Sequence, residues 1–189
     1  MALLENQHAL ITGGGSGIGL ACARAFAADG ARVTLVGRTE ARLAEAAQTI
    51  GELASYIVAD IADETSIESA IAAAATTAPL TIAVANAGTG TAAPFLDTDT
   101  GEWQRVMDTN LNGTFFTFKH AGRAIAANGG GAMCAISSIA GLRTHKLMSA
   151  YCTSKAAIDM LVRNTADELG GVNIRVNSVC PGLVETDLS

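Results

Sequence analysis

The chain has 189 residues, of which 49% are hydrophobic and only 16% are charged, and its formal net charge is −6. A chain this apolar is not intrinsically disordered, and its length suits one domain with a substantial core. The acidic balance argues against a nucleic-acid partner, which would need a basic surface to neutralise phosphates.

Short apolar runs alternate with longer helical patterns along the chain. The strand candidates are residues 9–11, 33–36, 54–59, 80–85, 132–136 and 172–179, and the helix candidates are residues 20–28, 40–50, 63–75, 101–127 and 150–169. This alternation predicts β-α-β units and a parallel sheet. Because the strands are nearly continuous apolar runs, helices are expected on both faces. The sequence therefore predicts an α/β fold, a doubly wound, Rossmann-like parallel sheet of about six strands.

The cysteines and the N-terminal segment bear on the location of the protein. None of the four cysteines belongs to a C-x-x-C pair, which favours buried, reduced thiols over a zinc site or a disulfide framework. The first residues lack the basic and apolar regions of a signal peptide. Thr76, Thr77 and Pro79 interrupt the uncharged stretch 70–88, so no membrane span is expected. We predict a soluble, cytoplasmic protein.

A glycine loop, residues 12–19, follows the first predicted strand and opens the first predicted helix. It fits the pattern T-G-x-x-x-G-x-G through Gly13, Gly17 and Gly19. Glycines let the backbone turn sharply and approach a pyrophosphate, whose charge a helix N-terminus favours. Leu20 stands where a phosphate-loop lysine would follow, which disfavours a nucleotide-hydrolysing enzyme. The alternative is a tight turn that serves packing alone.

Tyr151 and Lys155 are four residues apart on a predicted helix and so share a face, and Ser138 lies 13 residues before Tyr151 at a strand end. A neighbouring ammonium lowers the pKa of a tyrosine from its ordinary value of about 10. Lys155 could thus make Tyr151 a usable proton donor and acceptor, while Ser138 holds the substrate oxygen. The alternative is a surface pair on an amphipathic helix. This alternative is disfavoured because Ser138 and the glycine loop both follow the carboxyl ends of predicted strands, which lie at the same edge of a parallel sheet.

Taken together, these motifs resemble the short-chain dehydrogenase/reductase family, in its compact single-domain branch. The elements that carry the resemblance occur in family order across the chain: the glycine loop, Asp60, Asn86-Ala87-Gly88, Asn110, Ser138, Tyr151, Lys155, and Pro181-Gly182 with Thr186. The resemblance implies one dinucleotide-binding and catalytic domain over residues 1–189. Its activity would be hydride transfer between a nicotinamide cofactor and a secondary alcohol or ketone, with Tyr151 as general acid/base.

The resemblance also implies roles for individual residues. Lys155 would bind the nicotinamide ribose, and Asn110 would help to hold a water in a proton relay, unless Asn110 is only a polar residue that kinks a long helix. Asp60 and Ile61 would lie beside the adenine. The full set of implied cofactor-binding residues is Gly13, Ser16, Gly17, Ile18, Gly19, Arg38, Asp60, Ile61, Asn86, Ala87, Gly88, Tyr151, Lys155, Pro181, Gly182, Val184 and Thr186. No metal site is expected.

The end of the second strand bears on the choice of cofactor. An NAD-binding site usually carries an acid there, but this chain has Gly37 followed by Arg38. Arg38 could pair with a 2′-phosphate, which favours NADP. Glu40 lies roughly 20 residues past the glycine loop, the spacing of a ribose-binding acid, so NAD stays possible. Arg38 could instead be a solvated charge where the next helix begins.

Family members normally continue after Pro181-Gly182 with a substrate loop, a helix and a final strand. The chain ends at Ser189, so we expect these C-terminal parts to be absent and one face of the edge strand to be exposed. This keeps open an alternative function, that of a non-catalytic nicotinamide-dinucleotide-binding protein or an inactive truncated fragment.

Substrate and partner are the least specified features. Leu142, Leu147 and Met148 indicate an apolar substrate wall for a small alcohol or carbonyl compound, while Arg143 and His145 are interpreted as ordinary exposed charges. The resemblance implies a homodimer or homotetramer. Small residues at 122–127 and 156–157 would allow close helix pairing, although they could equally serve packing on the sheet.

Overall fold

A six-stranded parallel sheet forms the centre of the chain, which the computed structural model describes over residues 2–185. The strands are β1 (His8–Thr12), β2 (Arg32–Gly37), β3 (Ala54–Val58), β4 (Ile82–Ala85), β5 (Gly131–Ile136) and β6 (Ile174–Val179). Their order is β3-β2-β1-β4-β5-β6, and every neighbouring pair is parallel. The doubly wound α/β fold predicted from the sequence is confirmed, and each predicted strand overlaps an observed one.

Helices cover both faces of the sheet. They are α1 (Gly17–Ala28), α2 (Glu40–Ile50), α3 (Glu64–Thr77), α4 (Thr100–Met107), α5 (Gly113–Ala127) and α6 (Ser149–Leu169). On β1, Leu10 packs in the core shared with α3, α5 and α6, whereas Ala9 and Ile11 pack in the core shared with α1 and α2. Successive residues of a strand point to opposite faces, so a strand buried on both faces must be apolar throughout.

The predicted helix over residues 101–127 is present as helical backbone from Thr100 to Ala127, but it contains a π-helical turn. A π-helical turn, Asp108–Asn112, separates α4 from α5. The Asn110 side chain explains the interruption: its Oδ1 accepts a hydrogen bond from the Thr89 N–H (2.8 Å) and its Nδ2 donates to the Thr89 carbonyl (2.9 Å). The wider turn directs this amide at the segment after β4. Single π-helical turns inside α-helices are frequent at functional sites.

Two further features bear on packing and location. Gly122 faces inward, because a Cβ built on it would contact Leu169 and Met133, so it serves helix–sheet packing. Arg175 and Asn177 of the edge strand β6 are exposed. Within residues 2–185, none of the helices has both the length and the apolar character needed to cross a bilayer.

Candidate active site

The carboxyl ends of the strands open into one cleft with a volume of about 860 Å³. It lies where the sheet order reverses, between β1 and β4, which is where open α/β sheets bind their ligands. The predicted site residues that line it are Gly13, Ser16, Gly17, Ile18, Arg38, Asp60, Ile61, Asn86, Ala87, Gly88, Ser138, Tyr151, Lys155, Pro181, Gly182 and Val184. Gly19 and Asn110 lie behind the cleft wall, and Thr186 falls outside the described residues.

The glycine loop is fastened to the segment after β4. The Asn86 Nδ2 donates to the carbonyls of Thr12 (2.9 Å) and Gly13 (3.3 Å). In return the Thr12 hydroxyl accepts from the N–H groups of Asn86 (3.0 Å) and Ala87 (3.1 Å). Within the described residues, Ser16 forms no side-chain cap for α1. The first-turn N–H groups of α1 therefore remain available to an anion.

Gly19 allows the start of α1 to pass directly beneath this loop. A Cβ there would collide with the Gly13 carbonyl and the Asn86 amide. We expect Gly19→Ala to lower the free energy of unfolding by about 2–3 kcal/mol, because backbone atoms must move. Urea denaturation measures this. Gly170→Ala is the matched control, since an added Cβ meets nothing within 4 Å there. Equal stability of the two variants would contradict the prediction.

Ser138, Tyr151 and Lys155 meet on the other side of the cleft, beyond β4. Ser138 lies two residues after the end of β5 and caps a 3-10 turn, Ile139–Gly141, and its Oγ accepts a hydrogen bond from the Ala140 N–H (3.1 Å). The Lys155 Nζ donates to the Ile136 carbonyl (2.7 Å) and lies 5.6 Å from the centroid of the Tyr151 ring. The hydroxyl, phenol and ammonium groups thus line a single wall.

Burial dominates the electrostatics of this wall. Lys155 is only 4% exposed, and this desolvation lowers its pKa from 10.5 to about 8, against the opposing charge of Asp159. Near neutral pH the side chain is mainly an ammonium, but it can lose its proton within the range in which enzymes are assayed. The Lys155 ammonium is thus a buried cation beside the Tyr151 ring.

Asn110 supports the wall from behind. It is fully buried, and its Nδ2 also donates to the Ser154 hydroxyl (3.0 Å) on α6. A Cβ on Gly88 would lie 3.3 Å from the Asn110 Oδ1 and 3.7 Å from the Lys155 Nζ. Asn110 therefore holds the segment after β4 against α6, at the point where that segment passes Lys155.

The opposite end of the cleft carries the charges near β2 and β3. The Arg38 guanidinium lies 4.0 Å from the Asp60 carboxylate, and both side chains are substantially exposed. Arg42 also lines this end. Glu40, the candidate ribose-binding acid, is not among the described residues that line the cleft, and it accepts a hydrogen bond from the Tyr56 hydroxyl (3.5 Å). Of the two candidate cofactor-selecting residues, Arg38 lines the cleft and Glu40 does not.

Comparison with known proteins assigns the family. The family model described as short chain dehydrogenase matches residues 7–189. The chain belongs to the short-chain dehydrogenase family. A galactitol 2-dehydrogenase (L-tagatose-forming) from Cereibacter sphaeroides is 40% identical over an alignment of 189 positions, which covers 98% of this chain and 74% of that protein.

Two further matches extend the comparison. A protein from Xanthobacter autotrophicus named inactive 2-(S)-hydroxypropyl-CoM dehydrogenase 2 is 40% identical over 168 residues, covering 88% of this chain and 73% of the relative. The solved structure of a short-chain type dehydrogenase/reductase from Mycobacterium ulcerans is 39% identical in sequence and superposes with a TM-score of 0.95. The match covers 98% of this chain and 70% of the chain in that structure. The relatives are named dehydrogenases and oxidoreductases, so this short-chain dehydrogenase belongs among enzymes that use NAD(P).

The residues of this short-chain dehydrogenase fit such a dinucleotide. Gly13 and Gly17 line the cleft with positive φ angles of 65° and 51°, a conformation that glycine adopts readily and that lets the backbone turn sharply where a phosphate would lie. The Gly13 N–H donates to the Val36 carbonyl (2.7 Å), which keeps the loop turned toward the end of β2, where Arg38 lies.

The sequence did not identify every residue of the site. Thr91 and Ala92 line the cleft after Gly88, and Leu183 follows Gly182, although none was predicted as a site residue. Only their position in the sequence could have identified them, because each lies just after a segment that was predicted to follow the end of a strand. His145 was wrongly interpreted as an exposed charge: it is half-buried, and its Nε2 is buried without a hydrogen-bond partner among the described residues. Arg143 is exposed, as predicted.

Proposed function

We propose that this chain interconverts a secondary alcohol and a ketone with NADP(H), and that residues 1–189 act as one dinucleotide-binding and catalytic domain. The observation that carries the proposal is the single cleft that joins the glycine loop to Ser138, Tyr151 and Lys155. A phosphate-binding turn at one end and an acid/base wall at the other suit a reaction between a dinucleotide and a carbonyl carbon.

Each residue of the wall has a distinct task in this proposal. Bound NADP(H) would supply or accept the hydride. Tyr151 would give its phenolic proton to the ketone oxygen during reduction, or take it from the alcohol during oxidation. Ser138 would hold that oxygen by a hydrogen bond. The Lys155 ammonium would stabilise the phenolate left by proton transfer, and Asn110 would keep the supporting backbone in place.

The apolar side chains around the wall support a substrate class. Met148, Leu183 and Val184 line the cleft near Ser138 and Tyr151, whereas Arg38, Arg42 and Asp60 lie at its other end. Leu142 and Leu147, which the sequence predicted as part of this apolar wall, do not line the cleft and are 67% and 54% exposed, so of the three predicted residues only Met148 supports the substrate class. We propose a small substrate whose hydroxyl or carbonyl group is flanked by apolar substituents.

Arg38 supports NADP over NAD. Replacing it with glutamine removes the charge-assisted bond to a 2′-phosphate, which contributes about 1.5–3 kcal/mol. We therefore expect Arg38→Gln to weaken NADPH binding about 10- to 100-fold and to leave NADH binding nearly unchanged. Fluorescence titration of the nicotinamide measures both. Arg24→Gln removes the same charge from the outer side of α1, where Arg24 contacts Thr49, and should change neither affinity. Equal weakening of both cofactors by Arg38→Gln would refute the assignment.

The proposal is tested first with the unaltered chain. NADPH should bind more tightly than NADH, and an apolar ketone should then cause loss of nicotinamide absorbance. Binding of NADPH without turnover of any ketone would instead support the alternative, a non-catalytic nicotinamide-dinucleotide-binding protein. One relative is named inactive, so family membership alone does not decide between them. Absence of binding would reject both.

Location and assembly complete the proposal. All four cysteines are free thiols, which suits a reducing compartment such as the cytoplasm. Homodimer or homotetramer formation is proposed from the family resemblance, and sedimentation velocity that shows only monomer would reject it.

A further inference from the structure

Asp159 is a buried acid that the mechanism above does not use. It is only 7% exposed, and it follows Lys155 by four residues and Tyr151 by eight on α6. This spacing places the three side chains along one face of the helix. Asp159 is thus the next charged group behind Lys155, on the side away from Tyr151.

The surroundings of Asp159 stabilise its charge poorly. The Cys180 thiol lies 3.8 Å from Oδ1 and 4.0 Å from Oδ2, and a thiol is a weak hydrogen-bond donor. Within residues 2–185, this thiol is the only hydrogen-bond donor to the carboxylate. Gly141 closes the other side, since a Cβ there would lie 2.9 Å from Oδ2. A buried carboxylate without strong donors is costly unless a charge of opposite sign compensates it.

Lys155 is the cation that can provide this compensation. The titratable groups that face it in the described chain are Asp159 on its own helix, Cys180 after β6, and Tyr151 one turn before it. The other elements packed around Lys155 present neutral groups, the Asn110 amide and the Ile136 carbonyl. Arg163, one turn beyond Asp159, is exposed. Asp159 is therefore the acid that opposes desolvation of the ammonium.

We propose that Asp159 is a positioning residue for the reaction: its buried carboxylate keeps Lys155 charged, and Lys155 in turn keeps Tyr151 competent for proton transfer. Burial lowers the pKa of Lys155, and the Asp159 charge is the largest influence that raises it. Without Asp159, Lys155 would lose its proton at lower pH and Tyr151 would lose its cationic neighbour. This inference rests on the proposed function, but its first test needs neither cofactor nor substrate.

The first test measures Lys155 directly. The chain has three lysines, Lys119, Lys146 and Lys155, so lysine labelled with ¹³C at Cε gives three NMR signals, and Lys155→Met identifies one of them. We expect Asp159→Asn to lower the Lys155 pKa by about one unit. Asp167→Asn removes the same charge from an exposed position on the same helix and should leave that pKa unchanged. An unchanged Lys155 titration in Asp159→Asn would overturn the proposal.

The second test follows the pH dependence of the proposed ketone reduction with saturating NADPH. If the reaction needs the Lys155 ammonium, the rate should fall as the pH rises through the Lys155 pKa of about 8. Asp159→Asn should move this fall to lower pH, and Asp167→Asn should leave it in place. A fall at the same pH in Asp159→Asn and in the unaltered chain would overturn the proposal.

A folding defect must not be mistaken for either result. Circular dichroism and thermal unfolding check each variant, and Asp159→Ala, whose side chain is smaller than the native one, replaces Asp159→Asn if the latter does not fold. If the Lys155 titration behaves as expected and no ketone is reduced, the electrostatic pairing stands and only the proposed activity fails.

Discussion

Tyr151→Phe is expected to lower kcat/KM for ketone reduction by about 10³-fold while NADPH binding stays intact. The substitution removes only the phenolic hydroxyl. The ring remains, so its packing against Gly90, where a Cβ would lie 3.6 Å from Cδ2, is retained. Loss of rate with binding preserved is the result expected for a group whose interaction matters only during proton transfer.

The chain provides a matched control for this experiment. Tyr56, the other tyrosine of the chain, lies on β3 and donates its hydroxyl hydrogen to the Glu40 carboxylate. It is not among the described residues that line the cleft. Tyr56→Phe removes the same atom and should leave the rate unchanged. Rates are followed by nicotinamide absorbance with saturating NADPH. If Tyr151→Phe keeps most of the wild-type rate, Tyr151 is not the general acid, and the wall formed with Ser138 and Lys155 has another use.

The sequence predicted the fold because the central strands β1, β2 and β4 are buried on both faces, whereas the edge strand β6 is not. Burial on both faces requires nearly uninterrupted apolar strands, and small or polar residues follow each such strand where it ends. The run that becomes β4 shows this, with Ile82–Ala85 followed at once by Asn86. The helix starting at Glu64 was equally readable, because Asp63 caps it by accepting from the N–H groups of Thr65 and Ser66.

Residues of the candidate site could be proposed from the sequence where their chemistry is local, but not where it depends on tertiary contact. The spacing of Tyr151 and Lys155 on one helix is visible in the chain. The π-helical turn between α4 and α5 is not visible in the sequence, because it depends on hydrogen bonds between the Asn110 amide and the Thr89 backbone, 21 residues away. Asp159 fits the same helical spacing as Lys155, but its burial depends on Gly141 and Cys180 closing over it.

Lys155→Met should inactivate the enzyme and stabilise the fold. Burial depresses the pKa of Lys155 from 10.5 to about 8, so keeping it charged below pH 8 costs about 3 kcal/mol relative to the unfolded chain. Methionine has similar length and no charge. It leaves the Ile136 carbonyl without its donor, a loss of about 1 kcal/mol. We therefore expect the free energy of unfolding at pH 7 to rise by about 2 kcal/mol while kcat/KM falls by at least about 10²-fold.

The pH dependence distinguishes this cause from better packing. Between about pH 8 and 10.5 the unfolded chain binds the Lys155 proton and the folded chain does not, so wild-type stability rises with pH across that window. The advantage of Lys155→Met should therefore be full below pH 8 and shrink toward pH 10.5, as measured by urea denaturation at each pH. Lys146→Met removes an exposed lysine and should show neither effect. An advantage that persists at pH 10.5 would mean that packing, not the buried charge, limits the stability of this site, and that Lys155 is held there at no electrostatic cost.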